Sequence, residues 1–238
     1  RDVLGSRGLG DVYKRQGEEK LKRSIELGVG QLKIGVSSTL CKYMLLPYLK
    51  EFIHRNPHIS ISIECQSTNE TLKLLDDDKI DIGLIGKPAS LKTFNFYYLD
   101  NIEDIFVTTK DYLRNLSARG VKKSEILQNS TLMLLDKGNM TRKYIDDYLQ
   151  ENQIHVKDSI DISNMDLLID FAKIGVGVAC VIKSIVSKEL ADGTLIEIPL
   201  GIPIHKREVG FAYKESSKLS TSLQTFIKFY ESYTPEDF

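Results

Sequence analysis

Cysteine, histidine and net charge are all scarce in this chain of 238 residues. It has three cysteines, four histidines and a formal charge of −1. Cys41, Cys65 and Cys180 are an odd, widely spaced set, which excludes a disulfide framework and predicts reduced thiols in a cytoplasmic protein. They read as three small buried hydrophobes. Cys41 also sits near a predicted helix start, where a thiolate is favoured, so a redox role stands beside that reading. The histidines make no metal site. His54 and His58 are separated by Pro57, which ends the helix between them, while His155 and His205 are isolated. No CxxC or HExxH spacing occurs, and no cofactor fingerprint is present. A near-neutral balance excludes strong non-specific attraction to nucleic acid or to an anionic membrane. No apolar run reaches the roughly 18 residues of a membrane span. Residues 1–30 lack the apolar core of a secretory signal.

What is present is a soluble α/β pattern, 42% hydrophobic and 27% charged. Residues 1–16 carry no helical or strand period and are read as a non-native or disordered leader. Residues 17–30 read as the end of a helix, with Leu21 and Ile25 in a thin apolar stripe closed by Gly28. Leu32, Ile34 and Val36 alternate as a strand. Leu40, Met44, Tyr48 and Phe52 follow at helical spacing, and Pro47 among them predicts either a kink or a later helix start. Ile59, Ile61 and Ile63 form a second strand. Thr68-Asn69-Glu70 offers a cap to a short helix ending in Asp76-Asp77-Asp78, and Ile80, Ile82, Leu84 and Ile85 form a third strand. The succession predicts βαβ units with a parallel sheet.

A second set begins at Ile105-Phe106-Val107. Residues 131–135 are a strand, and Ile145, Tyr148 and Leu149 mark a helix. Ser163 or Asn164 caps the next helix, with Leu167, Leu168 and Phe171 expected to be buried. Residues 176–182 are a strongly apolar strand. A short helix ends at Gly193, residues 208–213 are a strand, and Leu223, Phe226, Ile227 and Tyr230 mark the last helix. The order predicts two α/β lobes, residues 31–100 plus 200–238 and residues 101–199, joined by crossovers near 100 and 200.

Several segments in this order carry a family resemblance. Gln31-Leu32-Lys33-Ile34-Gly35 runs into Val36-Ser37-Ser38-Thr39 and the Leu45–Phe52 helix. Asn56-Pro57-His58-Ile59 and Lys79-Ile80-Asp81-Ile82-Gly83-Leu84 follow. Later come Phe171–Ala179 with its Gly-x-Gly turn, Glu189–Leu195, Leu219-Ser220 and Phe226–Phe229. Together they resemble the effector-binding domain of LysR-type transcriptional regulators over about residues 18–238. One departure is Ile182-Lys183, where that family often has a proline.

The resemblance implies two Rossmann-like lobes of the type 2 periplasmic-binding-protein fold, with a small effector held between them. It implies a homodimer or homotetramer, and contact with DNA only through a helix-turn-helix domain absent from this chain. No helix-turn-helix pattern or basic stripe appears here. The first-lobe helices, with Met44 or Tyr48, are expected to pack across a two-fold axis. In open α/β sheets ligands sit at the carboxyl ends of strands, where helix N-termini offer free N–H groups. Three such turns, rich in short hydrogen-bonding side chains, suit a carboxylate or other anion: Ser37, Ser38 and Thr39; Gln66, Ser67 and Thr68; Asn139, Met140, Thr141 and Arg142. The same side chains also serve as ordinary caps. Arg142 either forks onto a carboxylate or lies in solvent. Lys87, after the third strand, and Gly177 complete the candidate set. Gly175 and Gly177 precede a strand rather than a helix, so they are turn glycines and not a dinucleotide fingerprint. Two other functions fit the scaffold: a free-standing solute-binding protein, and an enzyme resembling prephenate dehydratases in its Thr141-Arg142 pair. No nucleophile constellation supports the enzyme.

Overall fold

The computed structural model describes residues 30–88, 90, 93–215 and 219–235. The leader and almost all of the expected N-terminal helix lie outside these residues. Gly30, assigned to that helix, instead opens the first strand.

Strand β1 (Gly30–Val36) buries Leu32, Ile34 and Val36, as the alternation requires. The following helix is interrupted. A turn at Ser38–Leu40 leads into a π-helical stretch, Cys41–Leu45, where the Leu46 N–H reaches back to the Cys41 carbonyl. Regular helix α1 then spans Leu46–Arg55 with Pro47 in its first turn. Pro47 has no N–H to give to the preceding turn, so the chain widens there and restarts. After β2 (Ile59–Cys65), helix α2 (Thr68–Asp76) is capped by Ser67, whose Oγ accepts from the Glu70 N–H at 3.3 Å. Strands β3 (Ile82–Gly86) and β4 (Phe94–Ile102) complete the first pass through lobe I.

The chain crosses to lobe II at Glu103 and continues as β5 (Asp104–Thr108), α3 (Lys110–Ala118), α4 (Ile126–Asn129), β6 (Thr131–Leu135) and α5 (Met140–Glu151). Then come β7 (Asp158–Ile162), α6 (Met165–Lys173), β8 (Val178–Ile182), α7 (Ser187–Asp192) and β9 (Ile196–Glu197). The chain returns to lobe I through β10 (Arg207–Lys214) and α8 (Thr221–Ser232).

Each lobe is built on a five-stranded sheet, ordered β2-β1-β3-β10-β4 in lobe I and β7-β6-β8-β5-β9 in lobe II. The β1, β2, β3 group and the β6, β7, β8 group are parallel, joined by helical crossovers. β10 runs antiparallel to β3 and β4, and β5 antiparallel to β8 and β9. The sheets are therefore mixed, and the antiparallel strands flank the two crossovers.

One buried cluster runs through both lobes, from Leu32 and Phe52 through Ile102 and Ile182 to Met133 and Leu168. In lobe I it is aromatic: Phe52, Phe211, Phe226 and Tyr230 pack with ring centroids 4.6 to 5.5 Å apart in successive contacts. Such pairs add to plain area burial.

Helix α6 corrects one expectation. Met165, Leu168, Ile169 and Ala172 form the buried stripe, whereas Leu167 and Phe171 lie on the opposite side and are exposed. Its two apolar stripes cannot both face one sheet.

Candidate functional site

A cavity of about 470 Å³ lies between the lobes. It forms where the β1, β2 and β6 carboxyl ends open into helices, because a strand that hands over to a helix leaves the first N–H groups of that helix unpaired. Short polar side chains meet part of this need. Ser37 Oγ accepts from the Leu40 N–H at 3.3 Å, and Asn139 Oδ1 accepts from the Thr141 N–H at 2.8 Å. Ser67 caps α2 in the same way. Ser37, Thr39, Ser67, Thr68, Lys87, Asn139, Met140 and Thr141 all line this cavity, so one space gathers most of the residues singled out in the sequence.

Four do not line it. Arg142 is only 7% exposed and turns away. Its guanidinium bridges Asp146 at 2.8 Å and Asp161 at 2.5 Å and donates to the Leu135 carbonyl at 2.9 Å. Neither expectation for it, forking onto a ligand or lying in solvent, describes this placement; Arg142 ties α5 to β6 and β7. Gly177 is a packing position: a Cβ there would come within 2.2 Å of the Thr131 carbonyl oxygen. Its own carbonyl accepts from Thr108 Oγ1 at 2.7 Å. Ser38 and Gln66 stand beside the cavity loops without lining the cavity, and the Gln66 N–H pairs with the Val36 carbonyl.

The sequence missed the cavity's second crossover wall. Ile102 and Ile182 form apolar lining, and Lys206, Arg207 and Glu208 bring charge from the start of β10. Arg207 forms a two-point ion pair with Asp104, whose side chain has no exposed surface. The same guanidinium donates to Thr141 Oγ1 at 3.2 Å and lies 5.2 Å from the Tyr144 ring centroid. Burial pushes the Asp104 carboxyl above the usual range, while Arg207 pulls it in the other direction. Around this pair, Lys206 and Lys183 reach Glu103, and Lys87 meets Glu208 at 2.5 Å. The run Lys206-Arg207-Glu208 is an ordinary charge cluster in sequence; only the crossover brings it to the cavity.

A second interlobe contact lies beside the cleft. Lys42 Nζ and Tyr43 Oη, both in the π-helical stretch, donate to Asp166 Oδ1 of lobe II at 2.7 and 2.5 Å. Between this contact and the main cavity lies a smaller space of about 180 Å³, lined by Leu40, Met44, Ile102, Ile182 and Ile185 among others.

Two mixed sheets, two crossovers and a hydroxyl-lined cleft at the strand ends agree with a match to the LysR substrate binding domain over residues 26–234. The chain belongs to this family. As a LysR substrate-binding domain, it is 23% identical over 201 residues to the HTH-type transcriptional regulator YeiE of Escherichia coli, covering 84% of this chain. It spans about two thirds of that relative, 67% of its length. In structure it resembles the Synechocystis CcmR regulatory domain in complex with 2-PG, with a TM-score of 0.71 at 18% identity, covering 84% of this chain and 95% of that one. It also resembles the QuiR effector-binding domain in complex with shikimate, with a TM-score of 0.66 at 16% identity, covering 84% and 94%. The relatives of this LysR domain are transcriptional regulators rather than enzymes. Among the described residues no cluster of side chains suited to a metal ion occurs, and no helix is long and apolar enough to cross a membrane.

Proposed function

We propose that this domain senses a small anionic effector, a carboxylate or a phosphate, in the interlobe cleft of a cytoplasmic LysR-type DNA-binding transcriptional regulator. The observation that carries this reading is the composition of the cleft. Six hydroxyl and amide side chains, Ser37, Thr39, Ser67, Thr68, Asn139 and Thr141, converge there with Lys87, Lys206 and Arg207, which also hold the carboxylates of Glu208, Glu103 and Asp104 in turn. Hydroxyls and helix-start N–H groups hydrogen-bond anion oxygens, and N–H donors of the cations left over from their carboxylate partners add charge-assisted bonds. The CcmR regulatory domain in complex with 2-PG and the QuiR effector-binding domain in complex with shikimate support a small molecule as the effector. An effector that binds one arrangement of the lobes better than another shifts their equilibrium, and so the geometry of the assembled regulator. DNA is reached through a helix-turn-helix domain outside this chain.

The domain also assembles with itself, as a homodimer or homotetramer. Leu46 and Ile53 on α1 and Ile63 on the edge strand β2 are exposed in lobe I. Ile160 on the edge strand β7, with Leu167, Phe171 and Ile174 on or beside α6, is exposed in lobe II. Apolar faces at both sheet edges suit burial against a second copy. Met44 and Tyr48, expected at such an interface, are instead buried within the chain.

The test is a thermal-shift and calorimetric screen of carboxylates, sugar phosphates and inorganic anions. A ligand specific to the native state adds about 2.7 kcal/mol at roughly 100 times its dissociation constant. Binding that weakens in Thr39→Val supports the reading. Saturable binding only of neutral or cationic compounds sinks it. Sedimentation at tens of micromolar tests assembly, with Phe171→Glu expected to release monomers.

A further inference from the structure

Two of the three cysteines, distant in sequence, lie two residues from the cleft-lining Thr39 and Ser67. Cys65 ends β2 opposite Val36 in the parallel register, and the Gln66 N–H bonds to the Val36 carbonyl. Cys41 lies one helical turn beyond the end of β1, with its N–H on the Ser37 carbonyl at 2.8 Å. Both therefore flank the same point of the sheet, with the Cys65 side chain among the groups that act on the Cys41 thiol. Their surroundings differ. Cys41 is half-buried against the core, whereas Cys65 is exposed. The expectation of three buried cysteines holds only for Cys180.

We propose that Cys41 and Cys65 form a dithiol that peroxide oxidises to a disulfide, fastening together the two lobe I loops that line the cleft. Cys65 is the sulfur that peroxide reaches first. Its thiolate attacks the peroxide O–O bond; an S–O bond forms, the O–O bond breaks, and one oxygen leaves as water, taking the thiol proton. The Cys41 sulfur then attacks the sulfenic sulfur; the S–S bond forms, the S–O bond breaks, and the second oxygen leaves as water with the remaining proton. The two thiols lose two electrons, and one peroxide becomes two waters.

The asymmetry fits this order. Burial first, then the charge and the hydrogen bond of Cys65, push the Cys41 thiol up. A thiol so placed is the poorer first nucleophile, as suits the resolving rather than the attacking sulfur. Cys180, wholly buried with its thiol raised well above the ordinary value, takes no part. The consequence for the cleft follows from position. Cys41 is two residues past Thr39, and Cys65 two residues before Ser67, both of which line it.

The experiment treats the reduced full chain with hydrogen peroxide, alkylates it, and maps peptides without reduction. The expected product is an intramolecular Cys41–Cys65 link, with loss of two hydrogens and a melting temperature raised by several degrees. In Cys65→Ser the link is lost and Cys41 remains alkylatable. In Cys41→Ser, Cys65 accumulates as a sulfenic acid that dimedone traps. Amide exchange of residues 37–40 and 66–68 should slow in the oxidised wild type. Oxidation of Cys65 to sulfinic acid, or only links between chains, with Cys41 as reactive as before, overturns the dithiol. A link that leaves exchange in both loops unchanged overturns the tie to the cleft. No effector is needed for either readout, so failure here is distinct from failure of the effector reading.

Discussion

Arg207 and Asp104 close a two-point ion pair where the chain passes between lobes, with Nε to Oδ2 at 2.8 Å and a second nitrogen to Oδ1 at 3.0 Å. Asp104 is the first residue of lobe II after the first crossover, and Arg207 the first of β10 after the second. One ion pair therefore ties both crossovers together, and its arginine also faces the cleft.

The partners are unequal, because the Asp104 side chain is fully buried and that of Arg207 is 15% exposed to the cleft. Arg207→Gln strands a buried carboxylate and should cost about 3–5 kcal/mol at neutral pH. Asp104→Asn leaves a cation that the cleft can hydrate, and should cost less, about 1–2 kcal/mol, while strengthening anion binding. The pH dependence has a definite sign. Asp104 is raised in the fold, so its contribution is full below the unfolded value of 3.8 and lost as pH rises through the folded value. Without the lowering influence of Arg207 the folded value climbs further. Denaturant midpoints should therefore show Arg207→Gln recovering stability relative to wild type as pH falls from neutral to about 5. A constant gap across that range would refute the burial argument.

Thr39→Val and Thr141→Val should each weaken effector binding about fivefold to tenfold, the worth of one hydrogen bond of about 1 kcal/mol. Arg142→Ala should behave differently. It leaves the Leu135 carbonyl without that donor and two carboxylates without a cation, costing about 1–3 kcal/mol of stability. Calorimetry below its melting temperature should find affinity nearly unchanged; a loss matching that of Thr141→Val would place Arg142 in the site after all.

Gly177→Ala should destabilise by about 3 kcal/mol or more, because its Cβ meets backbone that cannot step aside. Gly86→Ala is the matched control. Gly86 lines the cleft but has nothing within 4 Å of an added Cβ. Thermal melts of the two should separate clearly, and equal melts would contradict the packing role.

Asp166→Asn should open the lobes more than it destabilises them. Both Lys42 and Asp166 are about half exposed, so solvent screens their pair and it adds little to stability. The bonds from Lys42 and then Tyr43 hold the Asp166 carboxyl below the usual range. Its contribution is thus present above 3.8 and lost only as pH falls through the lower folded value. Small-angle scattering at neutral pH should show a larger radius of gyration for the variant; identical profiles would show that Asp166 does not hold the lobes.

The sequence by itself determined the elements whose burial is periodic. Leu32, Ile34 and Val36 in β1, the aromatic stripe of α8 and the apolar run of β8 each have a single face or an all-buried strand to offer, and periodicity reports that directly. It also determined the polar turns, because Ser37, Ser67 and Asn139 cap helices through contacts two or three residues away. Strands such as β7, with only Ile162 buried, and helices such as α3, with only Leu116 buried, carry almost no pattern and were not visible. The tertiary structure decided everything that depends on residues distant in the chain. It turned Arg142 into a structural clamp, brought Arg207 to Asp104 across 103 positions, and set Cys41 against Cys65. Local spacing fixes which way a side chain leaves its own helix or strand, but a charge or a thiol takes its role from the partner that folding brings to it.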